Sequence, residues 1–284
     1  MVEPMTDRVG LIGVGAMGKA LLRRLRAVGI RVQAYDPSET ARGAAHDGGA
    51  IVMNSPAEVG QGVQYIHVIV ASDDQAIAAT MGDQGVLAGA AAGTLIFLHS
   101  TVLPETTRQI AEAAARLRID VLDAPTTAVP IQMEAGKGAF LMGGPQDLVD
   151  GSRAYLEQLG ESVHHFGPLG AGNVAKLGTA LINAGERVLL AEVLNLVEAG
   201  GLDLRQFLEM ERQTGTTAPV LRWEKIYNIE NGHARHRPST NLFNKDIVLA
   251  AKLTETYALD APLTQGTART AAQWVKYWAS LPKT

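Results

Sequence analysis

Cysteine is absent from this sequence of 284 residues. Without thiols, the chain cannot form a disulfide, use a cysteine nucleophile, hold an iron–sulfur cluster or build a cysteine-based zinc site. Long apolar runs are missing too: the longest, over residues 86–98, is interrupted by glycine and threonine and is too short to span a bilayer. The acidic N-terminal segment also lacks the apolar stretch of a signal peptide. These absences predict a soluble, cytoplasmic protein.

A surplus of positive charge is also missing, because 25 Lys and Arg face 29 Asp and Glu and leave a formal net charge of −4. This balance argues against nucleic acid as a partner. Hydrophobic residues make up 46% of the chain, which is typical of a globular protein and excludes a disordered one. The length allows one large domain or two ordinary ones.

The first part of the chain alternates short β-rich segments with alanine-rich amphipathic ones. This alternation predicts βαβ crossovers and hence a mostly parallel, doubly wound sheet with helices on both faces. Predicted strands are 9–13, 31–35, 65–70, 95–98, 119–123, 138–142 and 162–166, and predicted helices are 16–28, 56–61, 73–80, 104–117 and 146–159.

Beyond residue 168 the pattern changes to helices without strands. A long helix is predicted over about 172–200 and ends at Gly200-Gly201. Asp203 and Gln206 then suit a capping box that opens the next helix, and Asn231–Asn241 is predicted as a loop. The fold class is therefore α/β with an all-helical C-terminal part, and the predicted domains are 1–168 and 169–284.

A glycine-rich turn follows the first predicted strand and leads into a helix. Its spacing, Gly-x-Gly-x-x-Gly, lets the first glycine form a tight turn, the second admit a pyrophosphate, and the third pack the helix against the strand. The N–H groups at the start of the helix favour phosphate oxygens. We therefore predict a dinucleotide site formed by Gly13, Val14, Gly15, Ala16, Met17 and Gly18.

Asp36 ends the second predicted strand, near the spacing expected of the acid that binds the adenosine ribose hydroxyls. Its negative charge would repel a 2′-phosphate, so the sequence favours NAD over NADP. Arg42 lies six residues further on and weakens that preference. A turn-forming role of Asp36 before Pro37 is the alternative interpretation.

Five segments together resemble the β-hydroxyacid dehydrogenase family, which includes 3-hydroxyisobutyrate dehydrogenases and tartronate semialdehyde reductases. They cover nearly the whole chain and are the glycine turn, His99–Pro104, Asp123–Pro125, Gly167–Lys176 and Asn244–Asp246. The resemblance implies a Rossmann domain, a long interdomain helix and an all-helical domain. It also implies hydride transfer between a nicotinamide and a hydroxyacid or its carbonyl partner.

Lys176 is the predicted catalytic residue, acting as general acid and base. A glycine-rich turn places it about one turn into the long helix, where the field of the helix N-terminus and burial disfavour its charged form and move its pKa towards neutrality. The ammonium could protonate a developing alkoxide in reduction, and the neutral amine could accept that proton in oxidation. The glycine frame before Lys176 distinguishes it from an ordinary surface lysine.

Two departures from the family pattern concern the substrate. Where the family has Ser-Gly-Gly to hold a small carboxylate, this chain has Thr127, Ala128 and Val129, so the backbone can approach an anion less closely. Where the family places an Asn one turn after the lysine, this chain has Thr179, which keeps a hydroxyl on the same helix face. The predicted substrate contacts are Thr126, Thr127, Ala128, Lys176, Thr179 and Lys245.

Three further residues are predicted to contact the cofactor. Thr101 matches the family Thr on the nicotinamide side, with a helix N-cap before Pro104 as the alternative. Lys245 matches the family Lys that reaches cofactor and substrate from the helical domain, with a surface lysine as the alternative. Ala71 follows the predicted strand 65–70. Apolar helix faces in the helical C-terminal domain predict a homodimer or a higher homo-oligomer.

A metal site is not predicted. His233 and His236 lie three residues apart, but no third ligand is near in sequence, and Arg235 and Arg237 would repel a cation. A polar loop is the preferred interpretation.

The sequence thus predicts an NAD-dependent dehydrogenase or reductase of a small-molecule substrate. Because residues 126–130 also resemble those of imine reductases, an imine or a carbonyl compound without a carboxylate is the alternative substrate. Those enzymes generally lack the catalytic lysine and use NADPH, which Lys176 and Asp36 argue against. A dinucleotide-binding sensor without catalysis is an alternative of another class, allowed by the missing family Asn.

Overall fold

The computed structural model describes residues 8–214, 227–230, 233–236 and 240–280 of the chain. It divides into two compact units, Met1–Lys176 and Leu177–Thr284. The domain boundary predicted at residue 168 falls in the loop before the long helix, and it stays a prediction.

A six-stranded parallel sheet forms the centre of the first unit, with the strand order β3-β2-β1-β4-β5-β6. The strands are β1 Arg8–Ile12, β2 Arg31–Tyr35, β3 Ile51–Val52, β4 Tyr65–Val68, β5 Leu95–Leu98 and β6 Asp120–Asp123. All four residues of β5 are buried, which explains why the central strands consist almost entirely of apolar residues. The predicted parallel sheet is confirmed.

Helices connect these strands and form an apolar cluster on each side of the sheet. Those between the strands are α1 Ala16–Ala27, α2 Glu39–Asp47, α3 Pro56–Gly60, α4 Asp73–Met81 and α5 Pro104–Ala115, and α6 Pro130–Glu134 and α7 Gln146–Leu159 follow β6. Three of them begin at a serine whose hydroxyl accepts the N–H three residues further on, namely Ser38, Ser55 and Ser72. The sequence prediction missed α2, β3 and α6; the last two are too short to show a period.

A small parallel pair of strands, β7 Ala139–Met142 and β8 Ser162–His165, surrounds α7. Isolated bridges join this pair to the chain that leaves β6: Asp123 pairs with Gly143, and Thr126 pairs with Phe140. The segment 123–126 is thereby held between the large sheet and the small one.

The second unit is mainly helical. Helix α8 (Ala171–Ala199) begins in the first unit and continues into the second, followed by α9 Leu204–Thr214, α10 Thr240–Thr256 and α11 Pro262–Ser280. The N–H of Gln206 donates to Asp203 Oδ1 at 2.7 Å, which confirms the Asp203 half of the predicted capping box of α9. Leu190, Leu194 and Leu208 belong to the apolar core that α8 and α9 share.

A short antiparallel hairpin corrects the prediction of helices and loops alone after residue 168. Its strands are β9 Tyr227–Glu230 and β10 His233–His236. Tyr227 pairs with His236 at one end, and Glu230 pairs with His233 at the other. Asn231-Gly232, the dipeptide most typical of a two-residue hairpin, separates the two strands and is the signal that the sequence prediction overlooked. Residues 231–232 and 237–239 of the predicted loop lie outside the described residues.

The fold class is otherwise as predicted, a Rossmann-type parallel sheet followed by a helical region. Within the described ranges, none of the helices combines the length and the hydropathy that a bilayer span requires.

Candidate active site

The predicted site residues of the first unit gather at one edge of the large sheet. Because its strands are parallel, their carboxyl ends meet at the same edge, and the strand order reverses between β1 and β4. Ligands of α/β proteins bind in the crevice that such a reversal opens. Five predicted residues follow five of these strand ends: Gly13 after β1, Asp36 after β2, Ala71 after β4, Thr101 after β5 and Thr126 after β6.

The three glycines of the turn are required for three different reasons. Gly13 has a φ of +90°, and a Cβ there would overlap the carbonyl oxygen of Ile69. A Cβ on Gly18 would overlap the carbonyl oxygen of Gly13, so this glycine brings α1 against β1. Gly15 is exposed, and a Cβ there would meet no atom within 4 Å. The room beside Gly15 fits a pyrophosphate at the uncapped start of α1.

Asp36 accepts one hydrogen bond from the glycine turn and one from its own loop. Oδ2 accepts the N–H of Val14 at 2.8 Å, and Oδ1 accepts the N–H of Ser38 at 2.9 Å. Arg42 donates to the backbone carbonyls of Asp36 and Pro37 at 2.8 and 3.0 Å. Asp36 therefore does form a turn, while its charge stays at the end of β2, where the ribose contact is predicted.

The ends of β4 and β5 supply the next part of the edge. Helix α5 has its N-cap at Leu103, whose N–H donates to Asp73 Oδ1 at 2.9 Å. Thr101 is thus not the N-cap, and that alternative interpretation is wrong. The N–H of Ala71 donates to the side chain of Gln75 at 2.9 Å.

Lys176 and Thr126 are brought together at the end of β6. The Nζ of Lys176 donates to the carbonyl oxygen of Thr126 at 2.7 Å, and Lys176 is half-buried in the second turn of α8. Thr126 is itself buried and bridged to Phe140. The amine is therefore held at the same edge of the sheet as the glycine turn.

The residues that follow Thr126 already use part of their backbone hydrogen-bonding capacity. The N–H of Thr127 donates to the carbonyl oxygen of Ala139 at 3.1 Å, and the N–H of Val129 donates to Gln132 Oε1 at 3.2 Å. The side chain of Val129 is 54% exposed, and that of Ile131 is 77% exposed. This surface is more apolar than a glycine-rich segment would be.

Asp123 is a buried charged residue that the sequence analysis did not assign to a role. Its oxygens accept the N–H groups of Gly170 at 2.7 Å and Asn173 at 2.9 Å, at the start of α8. Burial raises the pKa of the Asp123 carboxyl, and these backbone N–H groups oppose that rise. The sequence signal for such a role was the position of Asp123 at the end of a predicted strand and within the family segment Asp123–Pro125.

A buried chain of three polar side chains, which we call the His–Tyr chain, was also missed. His99 Nδ1 lies 2.7 Å from the carbonyl oxygen of Ala124, His67 Nδ1 lies 2.8 Å from His99 Nε2, and the Tyr155 hydroxyl lies 2.6 Å from His67 Nε2. Because a carbonyl only accepts, His99 donates to Ala124, His67 donates to His99, and Tyr155 donates to His67. Burial lowers the pKa of both histidines, that of His99 to about 4. Both rings are therefore neutral at pH 7.

Two predicted site residues, Thr179 and Lys245, belong to the second unit. Lys245 lies in α10, 3.5 Å from Asp246 Oδ1, and Thr179 lies in α8 three residues after Lys176. Their contacts with cofactor and substrate stay predictions. In the part of the chain that the structure describes, no group of three His, Asp or Glu is placed to hold a metal ion. The side chains of His233 and His236 are outside that part.

The parallel sheet with its strand-order reversal and its glycine turn defines a dinucleotide-binding protein of the Rossmann type. Residues 8–167 match the NAD binding domain of 6-phosphogluconate dehydrogenase, and residues 170–277 match the family described as NAD-binding of NADP-dependent 3-hydroxyisobutyrate dehydrogenase. The 3-hydroxyisobutyrate dehydrogenase of Pseudomonas aeruginosa is 30% identical over 91% of this chain and 89% of its own. The chain therefore belongs to the 3-hydroxyisobutyrate dehydrogenase family of NAD-binding hydroxyacid dehydrogenases.

Other relatives show the range of this family and fold. The NAD-dependent L-serine dehydrogenase of P. aeruginosa is 27% identical over 90% of this chain and 88% of its own. The Mycobacterium tuberculosis 3-hydroxyisobutyrate dehydrogenase with L-serine has a TM-score of 0.84 at 25% identity and covers 98% of this chain and 96% of its own. The Myxococcus stipitatus imine reductase with NADP+ has a TM-score of 0.64 at 21% identity and covers 95% of this chain and 94% of its own. It shares the fold.

Proposed function

We propose that the protein is an NAD(H)-dependent oxidoreductase of a β-hydroxyacid or its carbonyl partner, with Lys176 as general acid and base. The observation that carries the proposal is the Lys176 amine, held on the Thr126 carbonyl at the sheet edge that also bears the glycine turn. Relatives named as dehydrogenases of 3-hydroxyisobutyrate and L-serine support a small hydroxyl-bearing acid as the substrate class.

In this proposal each part of the edge has one task. The turn Gly13–Gly18 holds the pyrophosphate, and Asp36 holds the adenosine ribose. The nicotinamide of the bound dinucleotide supplies the hydride chemistry. The Lys176 ammonium donates a proton to the developing alkoxide oxygen in reduction, and the neutral amine accepts it in oxidation. The Thr126 carbonyl fixes the direction of the amine, while Thr127, Thr179 and Lys245 orient the substrate.

The test compares Lys176→Ala with wild type and with Lys252→Ala, which removes an exposed lysine of α10. Turnover of a panel of small hydroxyacids should fall by about 10²- to 10⁴-fold in Lys176→Ala alone, while the Kd for NAD should stay within about twofold. Undiminished turnover in Lys176→Ala contradicts the mechanism. Binding of NAD without turnover of any substrate in the panel would favour a sensor instead.

We further propose NAD rather than NADP as the cofactor. The carboxylate of Asp36 would repel a 2′-phosphate, and Nη1 of Arg42 already donates to two backbone carbonyls. The wild type should therefore show a higher kcat/KM with NAD. Asp36→Ser should lower this preference at least tenfold, whereas Asp47→Ser, at the exposed end of α2, should leave it unchanged. A wild type that prefers NADP would contradict the proposal.

A second candidate, a reductase of imines or of carbonyl compounds without a carboxylate, is favoured by the segment after Thr126. Two of its N–H groups, those of Thr127 and Val129, already donate within the protein, so fewer are available to hold an anion. The discriminating pair of substrates is 3-hydroxyisobutyrate and its methyl ester. A higher kcat/KM for the ester, or turnover of a cyclic imine, supports the second candidate over the first.

We also propose that the protein forms a homo-oligomer through its second unit. A groove of about 250 Å³ lies between α8 and α11, and Leu189 and Leu263 on its rim are 60% and 77% exposed. Burial of this rim in a subunit interface would remove the two leucine side chains from water. Light scattering after gel filtration should give a multiple of 30.1 kDa, and Leu263→Glu should reduce it. A monomeric wild type contradicts the proposal.

A further inference from the structure

The carboxylate of Asp123 caps a helix to which it does not belong. Its two oxygens accept N–H groups of Gly170 and Asn173, which lie at the start of α8. The first N–H groups of a helix have no acceptor within the helix and must find one elsewhere. Asp123, at the end of β6, therefore closes the end of α8 that carries a partial positive charge.

The surrounding backbone is shaped around this carboxylate. A Cβ on Gly143 would lie 2.5 Å from Asp123 Oδ1, and a Cβ on Gly172 would lie 2.8 Å from Oδ2 and overlap the carbonyl oxygen of Leu141. Two glycines thus let β7 and α8 approach the same side chain. Next to Asp123, the carbonyl of Ala124 accepts from His99, whose ring is neutral at pH 7.

The same two chain segments meet again one helical turn further along. Thr126, three residues after Asp123, accepts from the Nζ of Lys176, which lies three residues after Asn173. The segment leaving β6 and the first two turns of α8 are therefore joined by hydrogen bonds at both ends. Any shift of the start of α8 relative to β6 would move the Lys176 amine relative to Thr126.

We propose that Asp123 is a positioning residue, which fixes Lys176 by capping α8 and keeps it in the ammonium form by its negative charge at the positive end of that helix. The proposal rests on the proposed role of Lys176 in proton transfer. It predicts that a neutral side chain at position 123 makes the amine easier to deprotonate, since the helix end would then act on Lys176 without compensation.

The test measures the protonation of Lys176 without a substrate. Acetylation by acetic anhydride, followed by mass spectrometry over a range of pH, gives the midpoint for each lysine, with exposed Lys252 as internal reference. Asp123→Asn removes the charge and keeps one acceptor oxygen, and Asp120→Asn removes an exposed carboxylate from the same strand. We expect the Lys176 midpoint to fall by about 0.5 pH unit or more in Asp123→Asn and to stay unchanged in Asp120→Asn.

In a loosened fold the Lys176 midpoint would approach that of exposed Lys252, so a fall below the Lys252 midpoint identifies the effect of the charge. An unchanged or raised Lys176 midpoint in Asp123→Asn therefore overturns the inference. Circular dichroism checks that the variant is folded. If it is not, Asp123→Ser, which also removes the charge, is measured under the same criteria. Because acetylation needs no turnover, its result is separate from the proposed function, which is tested by the turnover of wild type and Lys176→Ala.

Discussion

At the scale of single residues, the glycines of the turn differ in whether folding or ligand binding requires them. Gly13 and Gly18 have neighbouring carbonyl oxygens where a Cβ would be, whereas Gly15 has open space. The first two glycines are required by the backbone itself. Gly15 instead leaves open space beside the start of α1. Substitutions at these positions should therefore have different consequences.

We expect Gly13→Ala to destabilise the protein by about 1–3 kcal/mol, because the residue would keep a φ of +90° and overlap Ile69. Gly15→Ala should change the unfolding free energy by less than about 0.5 kcal/mol yet raise the Kd for NAD at least tenfold. Urea unfolding and calorimetric titration measure the two effects. Gly43→Ala, in α2 with no neighbour within 4 Å, is the control for the NAD affinity. Unchanged NAD affinity in Gly15→Ala would argue against a pyrophosphate at this turn.

At the scale of secondary-structure elements, the His–Tyr chain joins β4, β5 and α7 through one direction of hydrogen bonding. Each donor and acceptor in it has a partner, from Tyr155 through His67 and His99 to the Ala124 carbonyl. The chain holds only while both imidazoles stay neutral, because a second proton on either ring would face another donor or a buried apolar environment. Its contribution to stability must therefore depend on pH.

The folded protein should lose stability as the pH falls below about 6.5. The pKa of His99 is about 4 in the folded state against about 6.5 when unfolded, so the unfolded chain binds the extra proton first and is favoured over that interval. For His99 alone the loss is about 2 kcal/mol at pH 5.

Urea unfolding at pH 5 and 7.5 measures this loss. In His99→Gln the difference between the two pH values should shrink, whereas His46→Gln, at an exposed position of α2, should keep it. Equal pH dependence in both variants would show that other groups cause the acid sensitivity.

At the scale of the whole molecule, the two units have separate cores. The two apolar clusters of the first unit contain residues from Val9 to Val163, and the cluster formed by α8 and α9 contains Leu190–Leu208. Because each cluster is built from one unit, the first should not need the second to bury its apolar surface.

A fragment of residues 1–176 should therefore fold and bind NAD without the rest of the chain. We expect a cooperative thermal transition and a Kd for NAD within about tenfold of the intact protein, because the glycine turn and Asp36 are both retained. Differential scanning calorimetry and titration measure the two properties. A fragment that melts without cooperativity would show that the helical unit is needed for the Rossmann unit to fold.

The sequence alone determined most of the Rossmann unit, because βα alternation and the Gly-x-Gly-x-x-Gly turn are local patterns. The cap of α9 by Asp203 is equally local. Elements of two to five residues, such as β3 and α6, are too short to repeat a period and left no detectable pattern. The hairpin Tyr227–His236 did leave one, the Asn231-Gly232 dipeptide, which was outweighed by the polar composition of the segment.

Only the tertiary structure decided which distant residues meet. Asp123 and the start of α8 are about fifty residues apart in sequence, and the His–Tyr chain joins residues from three separate elements. Such contacts depend on the order and register of strands, which no local pattern encodes. The sequence alone predicted Lys176 as the catalytic residue. The fold places its amine on the carbonyl of Thr126, because the start of α8 lies in space beside the carboxyl end of β6.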